Sequence, residues 1–195
     1  MVKPTPPPPP PPTPYDARIE YLESSGTQWI DTLLTASDLS YQNVNFIIEF
    51  ARTTDNLAIF AGTTYQYFQF PIVSKRLRLD WAKGNAVGNS TGELEINTPY
   101  IVEQSNGVVT CDGYSQQNEN APSSSAKFLL FTKQAGSSSN SRIYHFQVRT
   151  IRGNTKIIDL IPVRIGTTGY MYDRVSEQFF GNAGTGEFIL GPDVG

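Results

Sequence analysis

The chain has 195 residues, 38% of them hydrophobic, and a formal net charge of −3, with a pI near 5.2 and a mean hydropathy of −0.31. That is enough chain for one sizeable core. The Lys and Arg residues form no dense cluster, which speaks against neutralising a phosphate backbone and so against nucleic-acid binding. No run approaches the roughly 18 apolar residues that span a bilayer, and the single cysteine, Cys111, excludes an internal disulfide and a cysteine-based metal cage.

Residues 1–16 read as a proline-rich arm. "MVKPTPPPPPPPTPYD" holds seven consecutive prolines. Proline fixes φ and has no amide donor, so residues 4–14 enter neither a helix nor a sheet ladder. The tract predicts polyproline II, a semi-rigid strut of ~30 Å at about 3.1 Å per residue. Three uses fit it: a boundary linker, an arm that slots into a partner assembly, or a ligand for a proline-recognising domain. No apolar stretch follows Lys3, so no secretory signal is expected at this end. With a lone cysteine, the chain suits assembly in a reducing compartment.

Residues 17–195 read as one all-β domain. "VNFIIEFAR" at 44–52 alternates Val44, Phe46, Ile48 and Phe50 onto one face, and "LAIFAG" follows the turn "TTDN". "YQYFQF" at 65–70 and "RLRLDWA" at 76–82 form the next pair. "ELEI", "YIVEQ" and "GVVTCDG" continue the pattern to residue 113. "KFLLFTK" at 127–133, "RIYHFQVRTI" at 142–151 and "KIIDLIPVRI" come next, and the tail reads as a hairpin plus a closing strand. The Ser-rich "APSSSAK" and "AGSSSNS" read as loops. Many short strands separated by turn residues predict an antiparallel β-sandwich.

"EYLESSGTQWIDT" (20–32), "RIYHFQV" (142–148), "DLIPVRIG" (159–166) and "GYMYDRVSEQFFGNAGTGEFILGPD" (169–193) carry a family resemblance. In this order they resemble the laminin-G-like, concanavalin A-like jelly rolls of gut bacterial surface proteins and of the fibres and decoration proteins of their phages. The resemblance implies two curved antiparallel sheets with the first and last strands close together. It also implies a virion or extracellular, cell-surface location. Read from the residues, Tyr21, Trp29 and Ile30 supply apolar surface near the start of the core. Asp173 stabilises the turn after "YMY", and Gly181, Gly184 and Gly186 permit tight turns.

The chemistry-bearing residues point to binding rather than turnover. Jelly-roll β-glucanases align three acids along one strand, and retaining hydrolysis needs two carboxylates about 5–5.5 Å apart. The nearest match, "ELEIN", offers Glu93 and Glu95 but Asn97 in the third place, so no enzyme is expected. His145, the only histidine, alternates away from Tyr144, Phe146 and Val148 and has no second ligand for zinc. No cofactor is expected, calcium being the one candidate that the resemblance implies. Asp112, Asn118, Glu119 and Asn120 form the most oxygen-rich loop, although it lacks the dense Asp spacing of a strong site.

The expected ligand is a glycan. Burying Phe68 and Phe70 sends Tyr65, Tyr67 and Gln69 outward, and burying Leu77, Leu79 and Trp81 does the same for Arg76, Arg78 and Asp80. On neighbouring strands these would join tyrosine rings, guanidinium groups and a carboxylate on one sheet face, a mixture that suits a pyranose. The expected function is a non-enzymatic binding and display module, held by the arm on a virion or surface-assembly protein and open to homo-oligomerisation. A purely structural virion component and a glycan-active enzyme are the alternatives.

Overall fold

The structure is a computed structural model, described over residues 12–55, 58–63, 67–70, 78–79, 93–117, 124–136 and 139–194. Alternation decides its elements. The first strands are β1 (Ala17–Ile19), β2 (Leu22–Ser25), β3 (Ile30–Thr35), β4 (Val44–Arg52), β5 (Ala58–Gly62) and β6 (Tyr67–Phe70). They continue with β7 (Arg78–Leu79), β8 (Tyr100–Ser105), β9 (Val108–Cys111), β10 (Tyr114–Gln117), β11 (Lys127–Leu130) and β12 (Asn140–Thr150). The chain closes with β13 (Lys156–Ile165), β14 (Thr168–Asp173), β15 (Phe179–Phe180), β16 (Ile189–Leu190) and β17 (Asp193–Val194). Among the described residues there is no helix, and so none long and apolar enough to cross a membrane.

Two antiparallel sheets pack face to face. The larger runs β10-β9-β8-β4-β12-β13-β1-β17, with β2, β14, β15 and β16 attached off that path; the smaller runs β3-β11-β5-β6-β7. Val44, Phe46, Ile48 and Phe50 of β4 are all buried, as their spacing predicts. Aromatic pairs join the layers. Phe50 stacks on Phe60 at 3.8 Å, Phe128 on Phe146 at 5.4 Å, and Phe46 meets Phe68 edge-on at 5.9 Å. The two ends of the described chain lie side by side, with β1 paired to β17 and β2 to β16.

Two hairpins are written in dipeptides. Asn106–Gly107 and Asp112–Gly113 have φ of 49° and 82°, and of 47° and 74°, the left-handed pairs that a two-residue type I′ turn requires. They join β8 to β9 and β9 to β10. The stretch "DGYSQQNEN", read as an oxygen-rich loop, is therefore a turn followed by a strand as far as Gln117.

Other expectations need correction. "ELEI" is not a strand: Glu93 and Glu95 are exposed in irregular chain around a buried Leu94, whose carbonyl accepts the Arg52 Nε–H at 2.7 Å. The segment therefore lacks the strand on which the paired-carboxylate comparison rested. The "AGSSSNS" segment is only partly a loop, since Ser139 and Ser141 are buried. Ser139 bridges Ile59 and Phe131 through backbone and hydroxyl hydrogen bonds, so a small polar residue seals the core edge without an unpaired amide.

Candidate functional site

A β-bulge builds the most distinctive surface. Strict alternation along β12 would set Tyr144 opposite His145. Against β4, however, the register runs from Ile143–Phe50 directly to His145–Glu49, leaving Tyr144 as an extra residue. Ile143 and Phe146 both remain in the core. Tyr144 and His145 consequently line the same depression on the outer side of the larger sheet, a re-aiming that bulges commonly produce beside functional sites.

Tyr21 packs against Tyr144 instead of entering the core. Their rings meet edge-on at 5.4 Å, and the Arg142 guanidinium lies 4.3 Å from the Tyr21 ring centre. Arg142 Nε donates to Glu23 at 2.6 Å. Burial raises the Tyr144 phenol above its ordinary pKa, and Arg142 offsets part of that rise.

Below this wall lies a buried carboxylate. The Asp159 side chain on β13 is 1% exposed. Its Oδ1 takes hydrogen bonds from His145 Nε2 at 2.7 Å and Gln147 Nε2 at 3.0 Å. Its Oδ2 pairs with Lys156 Nζ at 2.5 Å and Arg174 at 2.8 Å. Burial alone would push the Asp159 pKa up. The donors from His145, Lys156, Arg174 and Gln147 outweigh burial and hold the group well below the usual carboxylate range.

Around this hub the outer face opens into two hollows. The first, of about 350 Å³, is lined by Arg18, Glu20, Glu49, Tyr144, His145 and Arg174, among others. The side chains of Arg18 and Glu49 have no hydrogen-bond or ion-pair partner among the described residues, and Glu49 is half-buried. The second, also about 350 Å³, is lined by Asn45, Ile47, Glu103, Gln147, Arg149 and Asn154, among others. Chemically the face offers donors and acceptors held in fixed positions by hydrogen bonds, with an apolar wall at one end.

The sequence-derived glycan face lies elsewhere. β6 and β7 belong to the smaller sheet and do pair, with Gln69 opposite Arg78, and Phe68 is buried. Tyr65, Arg76 and Asp80 lie outside the described residues, as do the side chains of Tyr67, Gln69 and Arg78. Of the calcium candidates, Asp112 forms the β9–β10 turn, while Asn118 and Glu119 lie outside the described residues. Among the described residues no group of His, Cys, Asp and Glu could hold a metal ion.

Sequence reading missed Arg18, Glu49, Tyr144 and Arg174. For Asp159 there was a signal: an acid within "KIIDLIPVRI", apolar on both sides, is a charge that must find partners when its strand is buried.

One glycine of the tail also differs from expectation. Gly186 takes the left-handed φ of 70°, but Gly184 serves close approach, since a Cβ there would sit 2.1 Å from the Thr27 carbonyl oxygen.

No protein-family model and no curated protein matches the chain. Among solved structures it is similar to a "putative carbohydrate binding protein" from Bacteroides ovatus ATCC 8483. The TM-score is 0.52 and the identity 11%, over 89% of this chain and 60% of that one. This chain therefore spans less than two thirds of that protein's length, and what the likeness shows is a shared all-β sandwich fold.

Proposed function

We propose that this chain is a non-catalytic binding and display module that recognises glycans on the outer face of its larger sheet. The observation that carries the reading is the bulge at Tyr144, which turns two consecutive side chains into one hollow beside Arg18 and Glu49, neither of which has a side-chain partner among the described residues. Sugar hydroxyls both donate and accept, so a site with a guanidinium and a carboxylate free to bond suits them. The neighbour from Bacteroides ovatus, by its description, adds support of the same kind. The finer reading is a concanavalin A-like, laminin-G-like jelly roll in a phage fibre, a decoration protein or a bacterial surface adhesin. The proline arm of residues 1–16 is then its mount.

The test is binding of the purified chain to bacterial cells and a panel of isolated polysaccharides, alongside Arg18→Ala and Glu49→Ala. Neither side chain holds a partner among the described residues, so both variants should fold. Retention of one polysaccharide by the parent, with at least tenfold weaker binding by each variant, is expected. A chain that binds no glycan returns the reading to a structural component of an assembly.

The pairing of β6 with β7 favours a second location for the same function, at Tyr67, Gln69 and Arg78 together with Tyr65, Arg76 and Asp80. Loss of binding in a Tyr65→Ala, Tyr67→Ala, Arg78→Ala triple variant, with Arg18→Ala and Glu49→Ala unaffected, would move the site there.

A further inference from the structure

We infer that the two hollows act as one groove that takes an internal stretch of a neutral linear polysaccharide, rather than a chain end or a single sugar. This rests on the glycan reading above. The argument begins with register. Along β12 the outward positions His145, Gln147 and Arg149 lie opposite Glu49, Ile47 and Asn45 of β4. Ile47 lies in turn opposite Glu103 of β8. The first hollow contains Glu49 and His145, and the second contains Ile47, Gln147 and Arg149. Neighbouring outward positions on a strand are about 6.6 Å apart. The hollows are therefore consecutive steps along one row and share a continuous floor.

That floor is hydrogen-bonded from end to end. His145 and Gln147 share Asp159 Oδ1, at 2.7 and 3.0 Å. Arg149 Nε donates to Gln147 Oε1 at 2.5 Å, and its NH1 reaches Asn154 Oδ1 at 3.4 Å. A row fixed in this way loses little side-chain entropy when a ligand lies along it. From His145 to Arg149 the row covers ~13 Å, and the hollows extend beyond both ends, through Arg174 and Arg18 on one side and Asn154 on the other. A single sugar ring would occupy one hollow and leave the other in water.

Charge narrows the class. The cations of this face are Arg18, Arg142, Arg149, Lys156 and Arg174. Its carboxylates are Glu20, Glu23, Glu49, Glu103 and Asp159. The two sets are equal in number, and the cations other than Arg18 are already paired or hydrogen-bonded within the protein. A polyanionic chain would meet one uncommitted cation and the carboxylates of Glu20, Glu49 and Glu103, which is repulsive overall. Neutral hydroxyl-bearing units meet no such cost.

The experiment is calorimetric titration of the full chain with cello-, laminari- and manno-oligosaccharides from monosaccharide to hexasaccharide. An oligogalacturonate series supplies the acidic arm. The expected result is affinity in one neutral series that rises roughly tenfold or more between the disaccharide and the hexasaccharide. Glu103→Ala and Arg149→Ala, in the second hollow, should flatten that rise to about twofold. Affinity independent of length, or a hexasaccharide that binds both variants as it binds the parent, overturns the groove and leaves the glycan reading standing. Tighter binding of the galacturonate series overturns the assignment to neutral chains. Silence of every series overturns the groove and the glycan reading together.

Discussion

The backbone N–H of Asp159 donates to Asp173 Oδ1 at 2.8 Å, so one buried carboxylate braces the strand position that carries another. Asp173 also accepts from the amides of Val175 and Ser176, each at 3.1 Å, and from the Ser176 hydroxyl at 2.6 Å. These bonds fix the turn after "YMYD", and that turn delivers Arg174, whose own amide bonds the Asp159 carbonyl at 3.0 Å. The turn-forming acid thus positions a cation that partners the hub beneath the candidate groove.

Replacing Asp159 with Asn should destabilise the fold by about 2 kcal/mol. Removing one member of a buried ion cluster generally costs more, but Lys156 and Arg174 are 38% and 44% exposed, and water takes up part of the loss. The midpoint of urea denaturation reads the change.

The same carboxylate predicts acid sensitivity. Its folded pKa lies below the ordinary value of about 3.9, so the unfolded chain binds the proton first. The stability it contributes is fully present above about pH 4 and falls away as the pH drops from there towards the folded value. Urea midpoints measured from pH 6 downward should fall less steeply below about pH 4 in Asp159→Asn than in the parent. Parallel curves would show that other carboxylates carry the acid response.

Gly184→Ala should cost about 3 kcal/mol, whereas Gly181→Ala should change stability by less than about 1 kcal/mol. At Gly184 the added carbon meets backbone, the Thr27 oxygen at 2.1 Å, and the Trp29 ring at 2.7 Å. Relief would require loosening the hydrogen bonds from Ala183 to Trp29 and from Thr185 to Thr27. At Gly181 the nearest atoms are those of the Tyr170 ring at 3.4 and 3.5 Å, an ordinary contact. Equal thermal shifts for the two variants would contradict this account.

Phe60→Ala should cost about 3–5 kcal/mol. Phe60 is buried between the sheets, stacked on Phe50 at 3.8 Å and lying 5.6 Å from Phe68. Its loss opens a cavity at the junction of the two layers. A chemical denaturation midpoint close to that of the parent would mean that the junction refills.

Cys111 should resist thiol reagents at pH 8 until the protein unfolds. Burial, with a smaller push from the adjacent Asp112, moves its thiol up to about 12, and the residue is 2% exposed. Labelling with an aromatic disulfide reagent, with and without guanidinium, checks this. Rapid reaction of the native protein would place Cys111 at the surface.

What the sequence determined by itself is what depends on neighbours along the chain. "VNFIIEFAR" carries its strand in a period of two and "KIIDLIPVRI" carries its own in a nearly continuous apolar run, and β4 and β13 have the bounds those stretches predict. "SNG" and "CDG" contain the left-handed dipeptides of two hairpins and could have been read as such. The candidate groove was not legible in this way. Tyr144 becomes an extra residue only when β12 is counted against β4, and nothing within "RIYHFQV" marks the slip. Asp159 becomes a hub because β12 brings His145 and Gln147 to it while the turn after β14 brings Arg174. Gly184 is required by a carbonyl more than 150 residues earlier in the chain. Backbone propensity and side-chain alternation act over a few residues and survive in a string of letters. Register, bulges and the desolvation of a charge are settled between strands, so only the tertiary structure decides where the binding chemistry gathers.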